Sequence, residues 1–295
     1  MTDWDNKDHL FRVASGANSD DYHWTEVMMR DIPKGLIEGV SLHYYSVDWA
    51  VKTSATGFSQ LQYFETIKRA LRMEELINKH VAIMDKYDPQ KKLALVVDEW
   101  GGWYDAEPGT NPAFLYQQNT MRDAMIAGVT LNIFNNHCDR VRMANLAQIV
   151  NVLQSVILTN KQKIVLTPTY HVMEMYNVHQ DATMIPVNLN SMYYLEGNDS
   201  LPAISISASR DQKGEIHVSL VNIDPKKTNA VRIQLQGPTL KLDNGRILKS
   251  SAIQDHNSFE EPDKISPQAF SGAAVNGNEI RLTMPPASVV VLTLH

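Results

Sequence analysis

The segment "LALVVDEWGGWYD", residues 93–105, decides how the first half of the chain is read. Leu93 to Val97 is an unbroken aliphatic run of strand length, with no polar alternation, as expected for a strand covered on both faces. It ends on Asp98 and Glu99 and runs straight into Trp100, Gly101, Gly102, Trp103 and Tyr104. An ionised carboxylate at such a position must be hydrogen-bonded or functional, because leaving it buried and unpaired is costly.

Outward from this strand, residues 1–180 alternate strand-like and helix-like segments. Leu10 to Ala17 reads as a strand, Asp21 to Arg30 as a helix with an aspartate at its start, and the second half of 35–45 as a strand. Ser59 to Lys86 reads as a long helix, with Leu61, Phe64, Ile67, Leu71, Ile77, Val81 and Met84 mostly at helical spacing. After the 93–99 strand, the reading is helix over 111–127, strand over 128–136 ("GVTLNIFNN") and helix over 141–158. This β-α order predicts a parallel sheet covered by helices. From residue 181 to 295 the pattern changes to short alternating strands such as "AISISASR", "EIHVSLVNI" and "SVVVLTLH", separated by Asn, Asp, Gly and Pro clusters. That is the pattern of an antiparallel β-sandwich.

Composition sets outer bounds. The 295 residues are 43% hydrophobic and 20% charged, with a net charge of −6, which argues against nucleic acid or an anionic membrane surface as partner. No run approaches the roughly 18 consecutive apolar residues of a membrane span. The single cysteine, Cys138, excludes an intramolecular disulfide and a cysteine-based zinc site. No cofactor or metal is expected, and nothing in the composition selects a compartment.

In barrels of alternating strand and helix, reactive groups sit where strands end and βα loops begin. Three predicted strand ends carry such groups: His43 and Tyr45; Asp98, Glu99 and Trp103; and Asn135, Asn136, His137 and Asp139. A strand-end Glu among aromatics suits retaining glycoside hydrolysis, in which one carboxylate attacks the anomeric carbon and a second carboxyl about 5–5.5 Å away protonates the leaving oxygen. Aromatic rings stack on sugar faces, and Gly101 and Gly102 would keep the backbone from crowding the pocket. Each residue also has a bland reading. Glu99 fits a satisfied structural carboxylate, His43 a loop or core histidine, and Trp103 and Tyr104 plain packing. His137 and Cys138 lack the spacing of a metal site.

"SLHYY", "VVDEWGGWY", "RMANLAQIVNVLQSVILT" and "LTPTYHVMEMYNVHQ", with "VASGANSDDYHWTEVMMR" before them, together resemble the α-L-arabinofuranosidases of glycoside hydrolase family 51. The resemblance implies a (β/α)8 TIM barrel, of which this chain would hold the carboxy-terminal half as strands five to eight over 1–180, followed by the β-sandwich over 181–295. It implies release of terminal α-L-arabinofuranosyl groups with retention. It puts the nucleophile at Glu99 and substrate-binding groups at His43, Tyr45, Trp103 and Gln148. The implied partner is an arabinofuranosyl oligo- or polysaccharide, with a homo-oligomer in intact members.

One feature departs from the family. Its acid/base glutamate lies in a "GNE" motif at the end of the fourth barrel strand, whereas the sole "GNE" here, 277–279, falls in the sandwich. The chain is therefore expected to lack the proton donor and to be inactive alone. The alternative from another class is a non-catalytic carbohydrate-binding or scaffold remnant.

Overall fold

Four parallel strands pair in chain order in the computed structural model, which describes residues 10–237 and 239–295. They are β1 (Val13–Asn18), β2 (Gly39–Ser46), β3 (Ala94–Gly102) and β4 (Val141–Leu146), with helices α1 (Tyr22–Asp31), α2 (Gln60–Tyr87) and α3 (Met121–Asn136) between them. The starts of α1 and α2 follow from local chemistry. Asp21 accepts from the Trp24 N–H at 3.0 Å. Ser59 and Gln62 form a reciprocal capping box at α2. Tyr63, Phe64, Ile67, Ala70, Leu76, Ile77 and Met84 form the buried face of α2. Leu61, placed on that stripe by its spacing, is instead 55% exposed.

The structure corrects the reading of 111–158. Residues 128–136 are not a strand but the second half of α3, which starts at Met121 after a single 3-10 turn at Pro112–Phe114. From Met121 to Phe134 only Leu131 escapes full burial. A helix covered on all sides has no amphipathic period, and Val129, Thr130 and Ile133 imitate a strand. The fourth strand is β4, inside the stretch read as a helix. Beyond it the chain forms a hairpin, β5 (Ile157–Asn160) and β6 (Lys163–Leu166), before α4 (Pro168–Tyr176). Asn135, Asn136, His137 and Asp139 therefore lie at a helix end, far from strand-end chemistry. His137 contacts Glu74 at 2.8 Å, and Asp139 pairs with Lys91.

The remaining strands are antiparallel. They are β7 (Thr183–Met184), the hairpin β8 (Tyr193–Glu196) and β9 (Asp199–Pro202), β10 (Ile204–Arg210), β11 (Ile216–Asn222), β12 (Asn229–Gln234), β13 (Leu242–Lys249), β14 (Gln268–Ala269), β15 (Ala273–Asn276), β16 (Glu279–Met284) and β17 (Ser288–Leu294). One sheet has the order β14-β13-β17-β11-β10-β7 and a second β12-β16-β15. Ile206, Val218, Leu220, Ile280, Leu282 and Leu292 belong to one cluster formed by residues of both sheets. Strand β13 runs through "LDNG" at 242–245. The register shifts between Leu242 and Asn244, and a Cβ on Gly245 would meet the Phe270 carbonyl at 2.8 Å.

The parallel sheet and the sandwich share a core. One cluster runs from Ala17 and Leu42 through Met125 and Val129 to Val221, Val289 and Val291. Helix α3 lies between the two layers. At Gly128 a Cβ would sit 2.7 Å from Val221 Cγ2, so the helix approaches β11 too closely for any side chain. Polar links finish the junction. Asn132 Nδ2 donates to Ser205 Oγ at 3.1 Å and Asn135 Nδ2 to Ser207 Oγ at 3.1 Å, while Asn136 Nδ2 reaches the Ile206 carbonyl at 3.0 Å.

His179, just past α4, contacts Ser209 Oγ at 2.7 Å and Ser219 Oγ at 2.6 Å. Burial, with the neighbouring His217, lowers its pKa to about 4. The unfolded histidine titrates near 6.5. As pH falls from about 6.5 to about 4, the unfolded chain binds a proton that the folded chain refuses. Stability therefore drops over that window and levels off below it, by up to roughly 3 kcal/mol from this group. Urea unfolding at pH 7 and pH 4.5 should show His179→Gln losing most of this group's share of the pH dependence; an unchanged slope would exclude it.

Candidate active site

Each residue of 93–105 has a distinct destination. Leu95, Val96 and Val97 are buried in the sheet, and Trp100 is fully buried with its ring edge-on to Phe134, centroids 5.4 Å apart. Gly101 has φ +138°, a region that L side chains rarely adopt, and an added Cβ would lie 2.8 Å from Gln154 Oε1. A Cβ on Gly102 would meet the Tyr104 hydroxyl at 2.6 Å. The two glycines therefore make room for Gln154 and Tyr104 beneath the strand end rather than for the pocket above it. Gln154 is 1% exposed, accepts from the Gly102 N–H and donates to the Asp123 carbonyl at 3.1 Å.

Between Val96 and Trp100 strand β3 carries a bulge. It takes three steps from Val96 to Glu99 while β2 takes two from Ser41 to His43. Against β4 it takes three from Val97 to Trp100 where β4 takes two from Ala144 to Leu146. Successive strand side chains normally point to opposite faces, and a bulge breaks that alternation and re-aims them. Asp98 and Glu99 both reach the same imidazole as a result. His43 Nε2 lies 2.9 Å from Asp98 Oδ1, and Nδ1 lies 3.3 Å from Glu99 Oε2.

Tyr45, two residues beyond His43 on β2, donates its hydroxyl to Glu99 Oε2 at 3.2 Å. Burial above all, then the Glu99 charge and that hydrogen bond, raise the Tyr45 phenol well above its ordinary pKa. It is a protonated donor at neutral pH. Tyr45 also meets Trp103 edge-on, centroids 5.0 Å apart, and Trp103 meets Trp49 in the same way at 5.2 Å. The Lys52 ammonium sits 4.9 Å from the Trp103 ring centre. Trp49 is 64% exposed and forms the outer edge of the cluster. The Glu99 and His43 side chains are 43% and 41% exposed, so this side of the site is open.

The loop carrying Trp49 and Lys52 is tied down at both ends. Asp48 pairs with Arg69 at 2.7 Å. Arg122, fully buried near the start of α3, donates to the Ser54 and Ala55 carbonyls, each at 3.1 Å. Its guanidinium lies between the Phe58 and Tyr104 rings, 3.7 and 3.5 Å from their centres. Tyr104 is thus packing for Arg122, while Trp103 faces the site.

Of the residues singled out from the sequence, Glu99, His43, Tyr45 and Trp103 come together. Gln148 lies two residues past the end of β4, exposed, and makes no hydrogen bond to the other four among the described residues. Trp49 and Lys52 were missed, and Asp98 was named only as a strand-end acid. An aromatic in the loop after β2 was a readable signal for Trp49; the place of Asp98 on His43 was not readable, because it depends on the bulge.

Residues 98–288 match the family model described as the alpha-L-arabinofuranosidase C-terminal domain. The chain belongs to that family. It is 45% identical over 289 residues to the intracellular exo-alpha-L-arabinofuranosidase of Bacteroides ovatus, covering 97% of this chain and 56% of that protein. The crystal structure of the GH51 arabinofuranosidase from Xanthomonas axonopodis pv. citri superposes with a TM-score of 0.95 at 46% identity, over 98% of this chain and 59% of that one. A family 51 alpha-L-arabinofuranosidase from Bifidobacterium longum, 24% identical, shares the fold with a TM-score of 0.81 over 96% of this chain and 58% of its own. The chain thus spans a little over half the length of these relatives.

The bulge and the glycine pair yield a direct test. Gly101→Ala forces a side chain into a positive-φ position and against Gln154, which should destabilise the fold by about 1–3 kcal/mol. Denaturant unfolding measures it. A loss below a few tenths of a kcal/mol would mean that the strand end relaxes freely.

Proposed function

We propose that this chain contributes the nucleophile side of an α-L-arabinofuranosidase active site that releases terminal non-reducing α-L-arabinofuranosyl groups from arabinan- or arabinoxylan-type chains with retention. The observation that carries the reading is Glu99 near the C-terminal end of β3, with Tyr45 donating to one carboxylate oxygen, His43 beside it and Trp103 edge-on to Tyr45. In this reading the four-stranded parallel sheet is the carboxy-terminal half of a (β/α)8 barrel. Glu99 attacks the anomeric carbon through one carboxylate oxygen. Tyr45 and His43 hold the carboxylate so that its attacking oxygen need not reorganise as charge moves to the sugar. Trp103, backed by Trp49, offers an apolar face to the furanose, and Gln148, exposed just past β4, is the further substrate-binding group that the family resemblance implies.

Retention requires a second carboxyl about 5–5.5 Å from the nucleophile. Most of the carboxylates that follow the strands are engaged in structural bonds, and Asp105, in the loop after β3, is exposed. Asp20 pairs with Arg72, Asp21 caps α1, Asp48 pairs with Arg69 and Glu107 accepts from the Gln118 N–H. Asp98 directly precedes Glu99 and faces His43. We therefore assign the proton donor to a group outside these 295 residues, and the chain by itself to negligible turnover of unactivated substrates, since general acid catalysis supplies about 10²–10⁴-fold.

The test is a chimera in which the part of the Bacteroides ovatus relative that precedes the matched region is joined to this chain. It should hydrolyse an unactivated α-L-arabino-oligosaccharide, while the chain alone does not. Glu99→Ala in the chimera should lose several orders of magnitude in kcat, with partial rescue by azide on an activated substrate. Tyr45→Phe should cost at most a few hundredfold, roughly 2–4 kcal/mol. An inactive chimera that still binds arabino-oligosaccharide would favour the non-catalytic carbohydrate-binding reading. Near-normal turnover of Glu99→Ala would displace Glu99.

A further inference from the structure

A second cluster of ligating groups lies in the sandwich, on the hairpin that joins β10 to β11. Asp211, Glu215 and His217 each offer one ligand atom, and the three atoms lie within 4.8 Å of one another. The sequence "DQKGEIH" over 211–217 has no familiar metal spacing, so the cluster exists only once the hairpin closes. From this geometry we propose that Asp211, Glu215 and His217 form a binding site for a divalent first-row transition-metal ion, with zinc as the representative ion.

The parts are preset. The Asp211 Oδ1 atom accepts from the Lys213 and Glu215 N–H groups, each at 2.9 Å, which fixes the carboxylate and leaves Oδ2 facing His217. The His217 side chain is only 5% exposed. Its Nδ1 lies 3.2 Å from Thr293 Oγ1 on β17, which orients the ring and presents Nε2 to the cluster. A partner on the far ring nitrogen is the usual support of a ligating histidine. Among the described residues no group outside the cluster reaches Nε2, and within it Asp211 Oδ2 is 3.4 Å away, longer than a good N–H···O bond. The ring is held with Nε2 turned toward the Asp211 carboxylate, at a distance that leaves room for an ion between them.

The spacing suits a metal better than a hydrogen bond. Zinc bonds of about 2.0–2.2 Å place two ligand atoms of a tetrahedron roughly 3.4 Å apart. Glu215 supplies the third ligand by turning its side chain inward, and the fourth position faces solvent at the hairpin. One imidazole and two carboxylates suit zinc and its neighbours; calcium needs six to eight oxygens and magnesium keeps most of its waters. The nearby His179 does not compete, because both its ring nitrogens are engaged by Ser209 and Ser219. An ion here would clamp the tip of the β10–β11 hairpin onto β17.

Titration calorimetry of the tag-free, metal-free chain with zinc chloride in a non-chelating buffer tests this site. One zinc ion per chain should bind, with no heat from magnesium or calcium chloride at the same concentrations. Glu215→Gln and Asp211→Asn should each weaken zinc binding by about tenfold or more. Both leave the buried His217 in place, and the amide introduced by Asp211→Asn keeps an oxygen to accept the turn's N–H groups. Their thermal unfolding in EDTA should match that of the parent chain, and zinc should raise the parent's midpoint more than theirs. Absence of zinc binding, or zinc binding unchanged in both variants, would overturn the assignment and leave the Asp211–His217 contact as a structural brace. The result is independent of arabinofuranosidase activity.

Discussion

Helix α3 is buried over most of its length between a parallel sheet and a β-sandwich, so the polar groups it carries depend on partners inside the protein. That constraint organises the molecule. At its start Thr120 and Asp123 form a capping box. Arg122 reaches the loop after β2 and stacks on Phe58 and Tyr104. The Asp123 carbonyl takes the Gln154 amide, whose oxygen holds the Gly102 N–H. Burial raises the Asp123 carboxyl pKa despite the adjacent Arg122. At the other end Asn132, Asn135 and Asn136 hold the sandwich. The helix that joins the two layers is thus also the support on which the end of β3 rests.

The site inherits its rigidity from that support. Gly101 and Gly102 are shaped by Gln154 and Tyr104 below them, so the backbone leaving Glu99 follows one path. The bulge in β3 then puts Asp98 and Glu99 on one imidazole, an arrangement that regular alternation would forbid. Tyr45, Trp103, Trp49 and Lys52 extend outward from there as a contact chain. Sites built on strand ends and backed by packed side chains keep their geometry better than sites on free loops.

Much of this was legible beforehand. The aliphatic run 93–97, the Ser59 cap, the Asp21 cap and the alternating hydrophobics after residue 181 each carry a local signal whose physical cause is also local. Glu99, His43, Tyr45 and Trp103 were found from strand ends and from a family resemblance that the comparisons support. The errors cluster where burial is complete. A helix covered on all sides and a buried strand are both continuous apolar runs, so 128–136 was read in the wrong class. The exposed edge strand β4, with Arg142, Met143 and Asn145 turned to solvent, carries little strand pattern of its own.

By itself, then, the sequence determined the alternation of strand and helix, the change to a sandwich, and the delivery of a glutamate to an aromatic strand end. Periodicity reports whether a face is covered, and caps and glycines report where the backbone must turn. Tertiary structure alone decided what does the covering. It set the register that bulges β3, the stacking of Arg122 between two rings, and the closure that brings Asp211, Glu215 and His217 together. Register and long-range contact depend on pairs of segments far apart in the chain, and no local window contains both members of such a pair.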